Sequence, residues 1–222
     1  MLQSATLKFL KDLSRHNNKP WFDAHRPQYD AAKNDFAAFV QQVIGAYGKT
    51  DKGIAHLKAK DCMFRINRDV RFSKDKAPYK NNMGAYFNKG GKKSIFGGYY
   101  FHCQPGESFV GGGLWMPMPA ELNKVRQEID YNFAAFKKII DSKKFKGMYG
   151  DLSRDAAYTL TRLPKGYEAD NPAAGYIKLK SFVALKPLTD AEINSRDLLR
   201  KVVTAFAVLH PLLEFINASI EN

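Results

Sequence analysis

Residues 65–80 read RINRDVRFSKDKAPYK, and at this stretch the chain changes from helical to strand-like periodicity. Residues 60–80 hold seven Lys or Arg side chains and three Asp side chains, which is one basic residue in three. The whole chain has 35 basic residues in 222, so positive charge is concentrated here. The stretch therefore indicates where the sheet begins and where an anionic partner would bind.

Alternate residues of 63–72 fall into two rows if the segment is a β-strand. The apolar row contains Arg68 and otherwise comprises Phe64, Ile66, Val70 and Phe72. The opposite row is wholly polar and comprises Arg65, Asn67, Asp69 and Arg71. Because an unpaired buried guanidinium is very costly, either a β-bulge turns Arg68 away from the core or a carboxylate pairs with it.

The basic stretch offers hydrogen-bond donors suited to an anionic group. Arg side chains bind phosphate or carboxylate in a bidentate manner, and Lys side chains add point charge. The candidate anion-binding residues are Arg65, Arg68, Arg71, Lys74, Lys76, Tyr79 and Lys80. Asp69 and Asp75 would orient these donors, or would act as acid/base groups or metal ligands in an enzyme. The alternative is a salt-bridge ladder, in which the two aspartates neutralise the arginines and the motif is purely structural.

The periodicity elsewhere predicts three helical regions around a sheet. Apolar residues recur at helical spacing in the first 50 residues, in about 119–146 and in 190–220. Short β-rich runs joined by Gly-rich turns predict an antiparallel meander within 61–110, and a later strand is predicted at 176–183. We therefore predict an α+β fold with a central, mainly antiparallel sheet packed by N-terminal, middle and C-terminal helices. No repeat or linker interrupts the chain, so we predict a single domain.

Several local signals predict where helices begin and end. Thr6 is expected to cap a first helix, and Asn18 is expected to cap a second one. Thr189 stands three residues before a Glu, as in a capping box, and Pro211 should kink or divide the last helix. The run Gly111–Gly113 matches no phosphate-binding motif, so we expect it to permit close backbone packing or a bulge.

The formal net charge of +13 favours anionic partners over cationic ones. We expect an anionic small molecule as the partner, with nucleic acid or an acidic protein as the alternative. The N-terminus lacks the pattern of a signal peptide, and no long apolar run predicts a membrane span, so we expect a cytoplasmic protein without a membrane partner. Cys62 and Cys103 belong to no CxxC motif, and we expect two reduced, buried thiols, with a disulfide between neighbouring strands as the alternative.

His102 is the one histidine placed on a predicted strand, where it shares a face with Tyr100. As a general base it would need a carboxylate neighbour; otherwise it is an ordinary half-buried histidine. The His and Cys residues match no zinc-binding spacing, and the GxSxG pattern of a serine hydrolase is absent. The sequence therefore assigns no cofactor and no metal site.

A longer pattern in the basic stretch carries a family resemblance. The pattern is Arg-x-x-Arg-Asp-x-Arg-Phe-x-x-x-Asp-Lys-x-x-Tyr, and its specified positions are Arg65, Arg68, Asp69, Arg71, Phe72, Asp75, Lys76 and Tyr79. With these residues the chain resembles the DUF2461 family of uncharacterised proteins. Residues 17–22, 78–80, 111–113 and 164–167 are also similar to that family. The resemblance implies one domain over nearly the whole chain, and it implies no particular activity.

Three hypotheses about function follow from these observations. The first is a protein that binds a phosphate- or carboxylate-bearing ligand at the basic stretch, with phosphoester or nucleotide chemistry if it is an enzyme. The second is a binding module for nucleic acid or an acidic protein, without catalysis. The third is a structural salt-bridge network in a protein whose function lies elsewhere. The salt dependence of binding separates the first two, because only an extended polyanion gives a steep dependence.

Overall fold

The computed structural model describes residues 1–92 and 94–221, and these form an α+β fold. Four antiparallel strands make one sheet, in which the strands lie side by side in chain order. They are β1 (Met83–Phe87), β2 (Gly98–Cys103), β3 (Ser108–Leu114) and β4 (Phe182–Leu188). The predicted α+β class and the antiparallel sheet are thus confirmed.

The longer helices fall in the three regions that the periodicity predicted, whereas two four-residue helices, Ala59–Cys62 and Ala174–Ile177, fall outside them. The N-terminal helices are α1 (Ser4–Arg15), α2 (Lys19–Ala24), α3 (Arg26–Tyr47) and α4 (Ala59–Cys62). The middle helices are α5 (Pro119–Tyr131), α6 (Phe133–Ile140) and α7 (Lys143–Tyr149). The remaining helices are α8 (Ala174–Ile177), α9 (Asp190–Ile193) and α10 (Leu198–Glu221), and a 3₁₀ turn covers Ala156–Tyr158.

The chain divides into two compact units, and each draws on three separate stretches of sequence. The first unit comprises Met1–Phe87, Tyr100–Val110 and Pro187–Val203. The second unit comprises Asn88–Tyr99, Gly111–Lys186 and the described chain from Thr204 onward. The single-domain assignment stays a prediction.

The core of the first unit is aromatic. Phe36 and Phe39 of α3 pack on Phe101 of β2, with ring centroids 5.9 and 5.1 Å apart. All three rings are buried, and α1 adds Leu10 and Leu13, which are also buried. Full burial of one such side chain contributes about 1.5–3 kcal/mol, so this cluster is a main source of stability for the unit.

The core of the second unit lies along the part of α10 that begins at Thr204. Tyr99 stacks on Phe206 at 4.6 Å between ring centroids, and its hydroxyl lies 2.6 Å from Nδ1 of His210. Pro211 does not divide the helix. By length and composition α10 could cross a membrane, and 44% of its most apolar window is buried inside the structure. This helix is therefore weak evidence for a membrane span, and the absence of a membrane partner stays a prediction.

The glycine run of β3 permits close backbone packing. A Cβ on Gly111 would lie 2.0 Å from the carbonyl oxygen of Ala184, and a Cβ on Gly113 would lie 2.0 Å from that of Phe182. Gly112 has φ +147°, which disfavours any residue with a side chain. These contacts confirm the prediction that the run serves packing of neighbouring strands.

The strand predicted over 63–72 is not formed, and that prediction was wrong. Two aspartates direct the backbone into turns instead: Oδ1 of Asp69 accepts the N–H of Arg71 at 3.3 Å, and Oδ1 of Asp75 accepts the N–H of Ala77 at 2.9 Å. Short polar side chains that bond to nearby backbone compete with strand pairing. As a result Phe72, predicted to be in the core, is 95% exposed.

Two further boundaries differ from the prediction. The late strand begins at Phe182 rather than near 176, because the Asn171 side chain accepts the N–H of Ala173 at 2.7 Å and precedes the short helix α8. Thr6 does not cap α1, because α1 begins before it at Ser4. The Thr6 hydroxyl donates instead to the carboxylate of Asp35.

The other local predictions are confirmed. Asn18 caps α2 by accepting the N–H of Trp21 at 3.0 Å, and Thr189 forms a capping box at the start of α9. Cys62 and Cys103 are both buried, and neither forms a disulfide. Burial raises the pKa of Cys103 to about 12, so this thiol stays protonated near neutral pH.

Candidate anion-binding site

The basic stretch forms a loop closed by a short antiparallel pairing. The backbone N–H of Arg68 donates to the carbonyl of Pro78 at 2.9 Å, and that of Lys80 donates to the carbonyl of Ile66 at 2.8 Å. Residues 69–77 project beyond this pairing, and we refer to them as the basic loop. The pairing fixes both ends of the loop on the first unit.

Arg68 holds the basic loop together from within. One of its guanidinium nitrogens, Nη1, donates to the Asp75 carboxylate and to the carbonyl of Ala77 at 3.2 Å. The other, Nη2, lies 3.4 Å from the hydroxyl oxygen of Ser73. The side chain is only 26% exposed. Of the two arrangements that the sequence left open, pairing with a carboxylate is therefore the observed one.

Arg71 and Lys76 also bond within the loop. Nε and Nη2 of Arg71 donate to the two carboxylate oxygens of Asp69 at 2.9 and 2.6 Å. These bonds, together with the N–H of Arg71, hold the pKa of Asp69 below its usual value. The ammonium group of Lys76 donates to the carbonyl of Val70 at 3.0 Å. Several of the predicted anion-binding cations thus have partners within the chain.

The side chain of Tyr79 is buried and does not lie at the surface of the basic loop. The residue is 7% exposed, and its ring stacks on Phe22 of α2 at 4.0 Å between centroids. The side-chain amide of Asn17 accepts the N–H of Tyr79 at 3.0 Å and donates to its carbonyl at 2.9 Å. Tyr79 therefore anchors the end of the loop to the N-terminal helices.

Arg65 and Lys80 differ from the paired cations. Arg65 is exposed, and its side chain makes no hydrogen bond or ion pair with any described residue. Lys80 is half-buried, with its ammonium nitrogen 5.6 Å from the ring centroid of Phe64. Burial, and then the charge of Arg65, lower the pKa of Lys80. The positive charges of Arg65 and Lys80 therefore repel each other, and the ammonium group of Lys80 is partly desolvated.

A chain of hydrogen bonds lies on the adjacent face of β2. The rings of Phe64 and Tyr100 are 6.3 Å apart, and the Tyr100 hydroxyl lies 3.2 Å from Nδ1 of His102. Nε2 of His102 lies 3.0 Å from Oε1 of Gln104, whose amide nitrogen donates to Glu107. Since that amide is oriented as a donor to Glu107, Nε2 of His102 carries the proton and Nδ1 accepts from Tyr100.

The ring of His102 is uncharged near neutral pH, which leaves Nδ1 as a proton acceptor. Burial lowers the pKa of His102, although the bond to Gln104 and the charge of Glu107 partly oppose the shift. Burial raises the pKa of Tyr100 to about 12, so its hydroxyl keeps its proton. Among the described residues, the carboxylate that a general base would need is that of Glu107, which is linked to His102 through Gln104.

Sequence reasoning missed three contributors to this region. Asn17 and Phe22 position Tyr79 from 62 and 57 positions earlier in the chain, and no periodicity indicates such a contact. Phe64, assigned to a core row, is 43% exposed and lies beside Lys80. In the sequence, the adjacent Arg65 is the signal at Phe64, and it becomes informative only if 63–72 is not a strand.

Lys74 is exposed at the outer part of the loop and bonds to no described side chain. Within residues 1–92 and 94–221, no group of three or more His, Cys, Asp or Glu side chains is arranged to hold a metal ion. The geometry of the region is thus that of an arginine- and lysine-rich surface beside a tyrosine–histidine pair. The ligand-binding role of the predicted residues stays a prediction.

These features define an α+β protein with an internally bonded basic loop and an adjacent pair of cations that form no ion pair with any described carboxylate. The chain belongs to the DUF2461 family, because the model of that family, described as a conserved hypothetical protein, matches residues 5–215. The resemblance seen in the sequence is thereby confirmed. Neither the curated proteins nor the solved structures include a match to this chain.

Proposed function

We propose that this protein binds a small molecule bearing a phosphate or carboxylate group between Arg65 and Lys80. The observation that carries the proposal is the position of these two cations. They lie close enough to affect each other, Lys80 is half-buried, and neither forms an ion pair with a carboxylate of the described chain. An anion placed between them would remove the repulsion and would gain charge-assisted hydrogen bonds from both.

The other predicted residues have supporting roles in this proposal. Arg68, Asp75 and Lys76 hold the loop in shape, and Tyr79 fixes its end. Asp69 orients Arg71 and also faces the charge of Arg65. A ligand that arrives at a surface already held in place loses less entropy on binding, because the protein need not be ordered.

The neighbouring aromatic residues favour a ligand with a flat apolar part. Phe64 exposes 43% of its surface beside Lys80, and its ring lies near that of Tyr100. A nucleotide has both a planar base and a phosphate, and it would use both features of the surface. If phosphoester or nucleotide chemistry accompanies binding, the neutral His102 is the group that takes up a proton, and the Tyr100 hydroxyl transmits it.

Isothermal titration of the wild-type protein with inorganic phosphate, a nucleoside monophosphate and a small dicarboxylate tests the proposal. The variants Arg65→Gln and Lys80→Gln should each weaken binding about tenfold, since each removes a charge-assisted bond. Lys33→Gln, which removes an exposed charge from α3, should bind as the wild type does. Affinity should depend only shallowly on salt concentration, because a small ligand displaces few counterions.

Two results would contradict the proposal. One is the absence of saturable binding of any of the three anions by the folded wild-type protein. The other is equal affinity of Arg65→Gln, Lys80→Gln and Lys33→Gln, which would attribute binding to net charge alone. Circular dichroism of each variant separates loss of binding from loss of fold.

A further inference from the structure

Phe72 is displayed to solvent at the outer part of the basic loop. It is 95% exposed, the largest exposure of any large apolar side chain in the described residues. The guanidinium group of Arg71 lies over its ring, with the guanidinium carbon 5.7 Å from the ring centroid. A ring so exposed buries almost no apolar surface, and it therefore contributes almost nothing to the stability of the fold.

The loop that carries Phe72 is held in shape by its own side chains. Arg68 bonds to Ser73, Asp75 and Ala77, and Lys76 bonds to Val70 on the other side of Phe72. The backbone N–H of Ser73 also donates to the carbonyl of Val70 at 3.3 Å. Because these bonds order the loop beforehand, a partner that contacts Phe72 need not supply that ordering entropy.

The charges beside Phe72 select a negatively charged partner. Lys74 is exposed two residues after Phe72 and is bonded to no described side chain. The whole chain carries a net charge of +13, which attracts polyanions over distances of about 10 Å. A flat apolar ring next to cations matches a partner that offers planar rings and regularly spaced negative charges.

We propose that the basic loop binds single-stranded nucleic acid, with Phe72 stacked on an unpaired base and Lys74 on a backbone phosphate. Stacking of bases on exposed aromatic side chains, combined with cations along the backbone, is the general mode of sequence-tolerant single-strand binding. A duplex offers no free base face, because its bases are already stacked on each other. This proposal uses residues other than Arg65 and Lys80, so it stands or fails separately from the small-molecule site.

Fluorescence anisotropy with a labelled single-stranded oligonucleotide of mixed sequence tests the proposal. Phe72→Leu should bind about tenfold more weakly than the wild type, because leucine cannot stack. Phe72→Tyr should retain the wild-type affinity, since the ring remains. Tyr131→Leu is the matched control: Tyr131 is 78% exposed on α5, and its loss should not change the affinity. Because Phe72 is outside the core, the variants should keep the wild-type circular dichroism spectrum.

The salt dependence of the same binding separates stacking from charge. Lys74→Gln should lower the slope of log affinity against log salt by about 0.7, the value for one phosphate contact to a single strand. Phe72→Leu should leave that slope unchanged, because a stacked ring releases no counterion.

Three results would overturn the proposal. The first is the same affinity for Phe72→Leu and wild type. The second is equally tight binding of a duplex of the same length, which would leave only attraction between net charges. The third is Phe72-dependent binding to phosphatidylserine vesicles or to an acidic peptide without Phe72-dependent binding to the oligonucleotide. Loss of phosphate binding in Arg65→Gln has no bearing on these measurements.

Discussion

The side-chain amide of Asn17 bonds to both backbone polar groups of Tyr79, as a neighbouring strand would. It accepts the N–H of Tyr79 at 3.0 Å and donates to the carbonyl of Tyr79 at 2.9 Å, across 62 positions of sequence. One side chain between α1 and α2 therefore fixes the segment that ends the basic loop. The orientation of the candidate site thus depends on the N-terminal helices.

Replacement of Asn17 by Ala should destabilise the protein by about 2 kcal/mol, because two backbone groups of Tyr79 lose their partners. Urea unfolding at neutral pH measures the change. Asn18→Ala is the control: it removes the cap of α2 and should cost about 1 kcal/mol without affecting Tyr79. Equal stability of Asn17→Ala and wild type would mean that water replaces the amide at no cost.

Arg68→Gln should loosen the basic loop, whereas Arg71→Gln should not. Arg68 is largely shielded and makes three contacts across the loop, but the Arg71–Asp69 pair is well exposed at its surface. Exposed pairs contribute little because solvent screens them. Amide hydrogen exchange of a peptide covering 69–77 should be several-fold faster in Arg68→Gln and nearly unchanged in Arg71→Gln. Faster exchange in Arg71→Gln than in Arg68→Gln would contradict the role of Arg68 in holding the basic loop together.

His102 should make stability decrease in weakly acidic solution. Burial lowers its pKa below the ordinary value of 6.5, so between that lowered pKa and 6.5 the unfolded chain binds more protons than the folded one. Stability should be fully present above about pH 6.5 and should fall as the pH decreases towards the pKa of the folded protein. Urea unfolding across this range measures the difference in the free energy of unfolding between wild type and His102→Gln. A difference that does not change with pH would contradict the desolvation of His102.

Glu192 should contribute stability that is lost in stronger acid. Bonds from Lys201 and from the N–H of Thr189 lower its pKa from 4.5 to about 2. The charged form is favoured in the folded state, so the contribution is present above about pH 4.5 and disappears as the pH falls through about 2. Glu192→Gln should therefore be less stable than wild type near neutral pH, and the two should converge in acid. A constant difference over this range would exclude the ion pair as its cause.

Gly111→Ala should destabilise the protein severely or prevent folding. The added Cβ would lie 2.0 Å from the carbonyl oxygen of Ala184, and a backbone atom cannot move aside without disturbing β4. Gly45→Ala is the matched control in α3, where no atom lies within 4 Å of the added Cβ. Alanine there should stabilise the helix by about 0.5–1 kcal/mol. Thermal unfolding distinguishes the two, and a mild effect of Gly111→Ala would mean that the strands can separate.

Much of the fold follows from rules that act over a few residues. The cap at Asn18, the capping box at Thr189 and the helical stripe of α10 are read directly from neighbouring positions. The glycine run of β3 was also interpreted correctly, because close backbone approach is the usual reason for adjacent glycines in a strand. These signals were sufficient to predict the α+β class and to place the antiparallel strands between the N-terminal and the middle helices.

The sequence by itself also determined which residues concentrate positive charge, and it limited Arg68 to either a bulge or a carboxylate partner. Only the tertiary structure decided that Asp75 is that partner, that Phe72 faces solvent and that Arg65 and Lys80 form no ion pair with a described carboxylate. The physical reason is that period-2 alternation assumes a paired strand. Side-chain-to-backbone bonds from two aspartates interrupt that pairing beyond Arg68, and contacts from a residue far earlier in the chain fix the position of Tyr79.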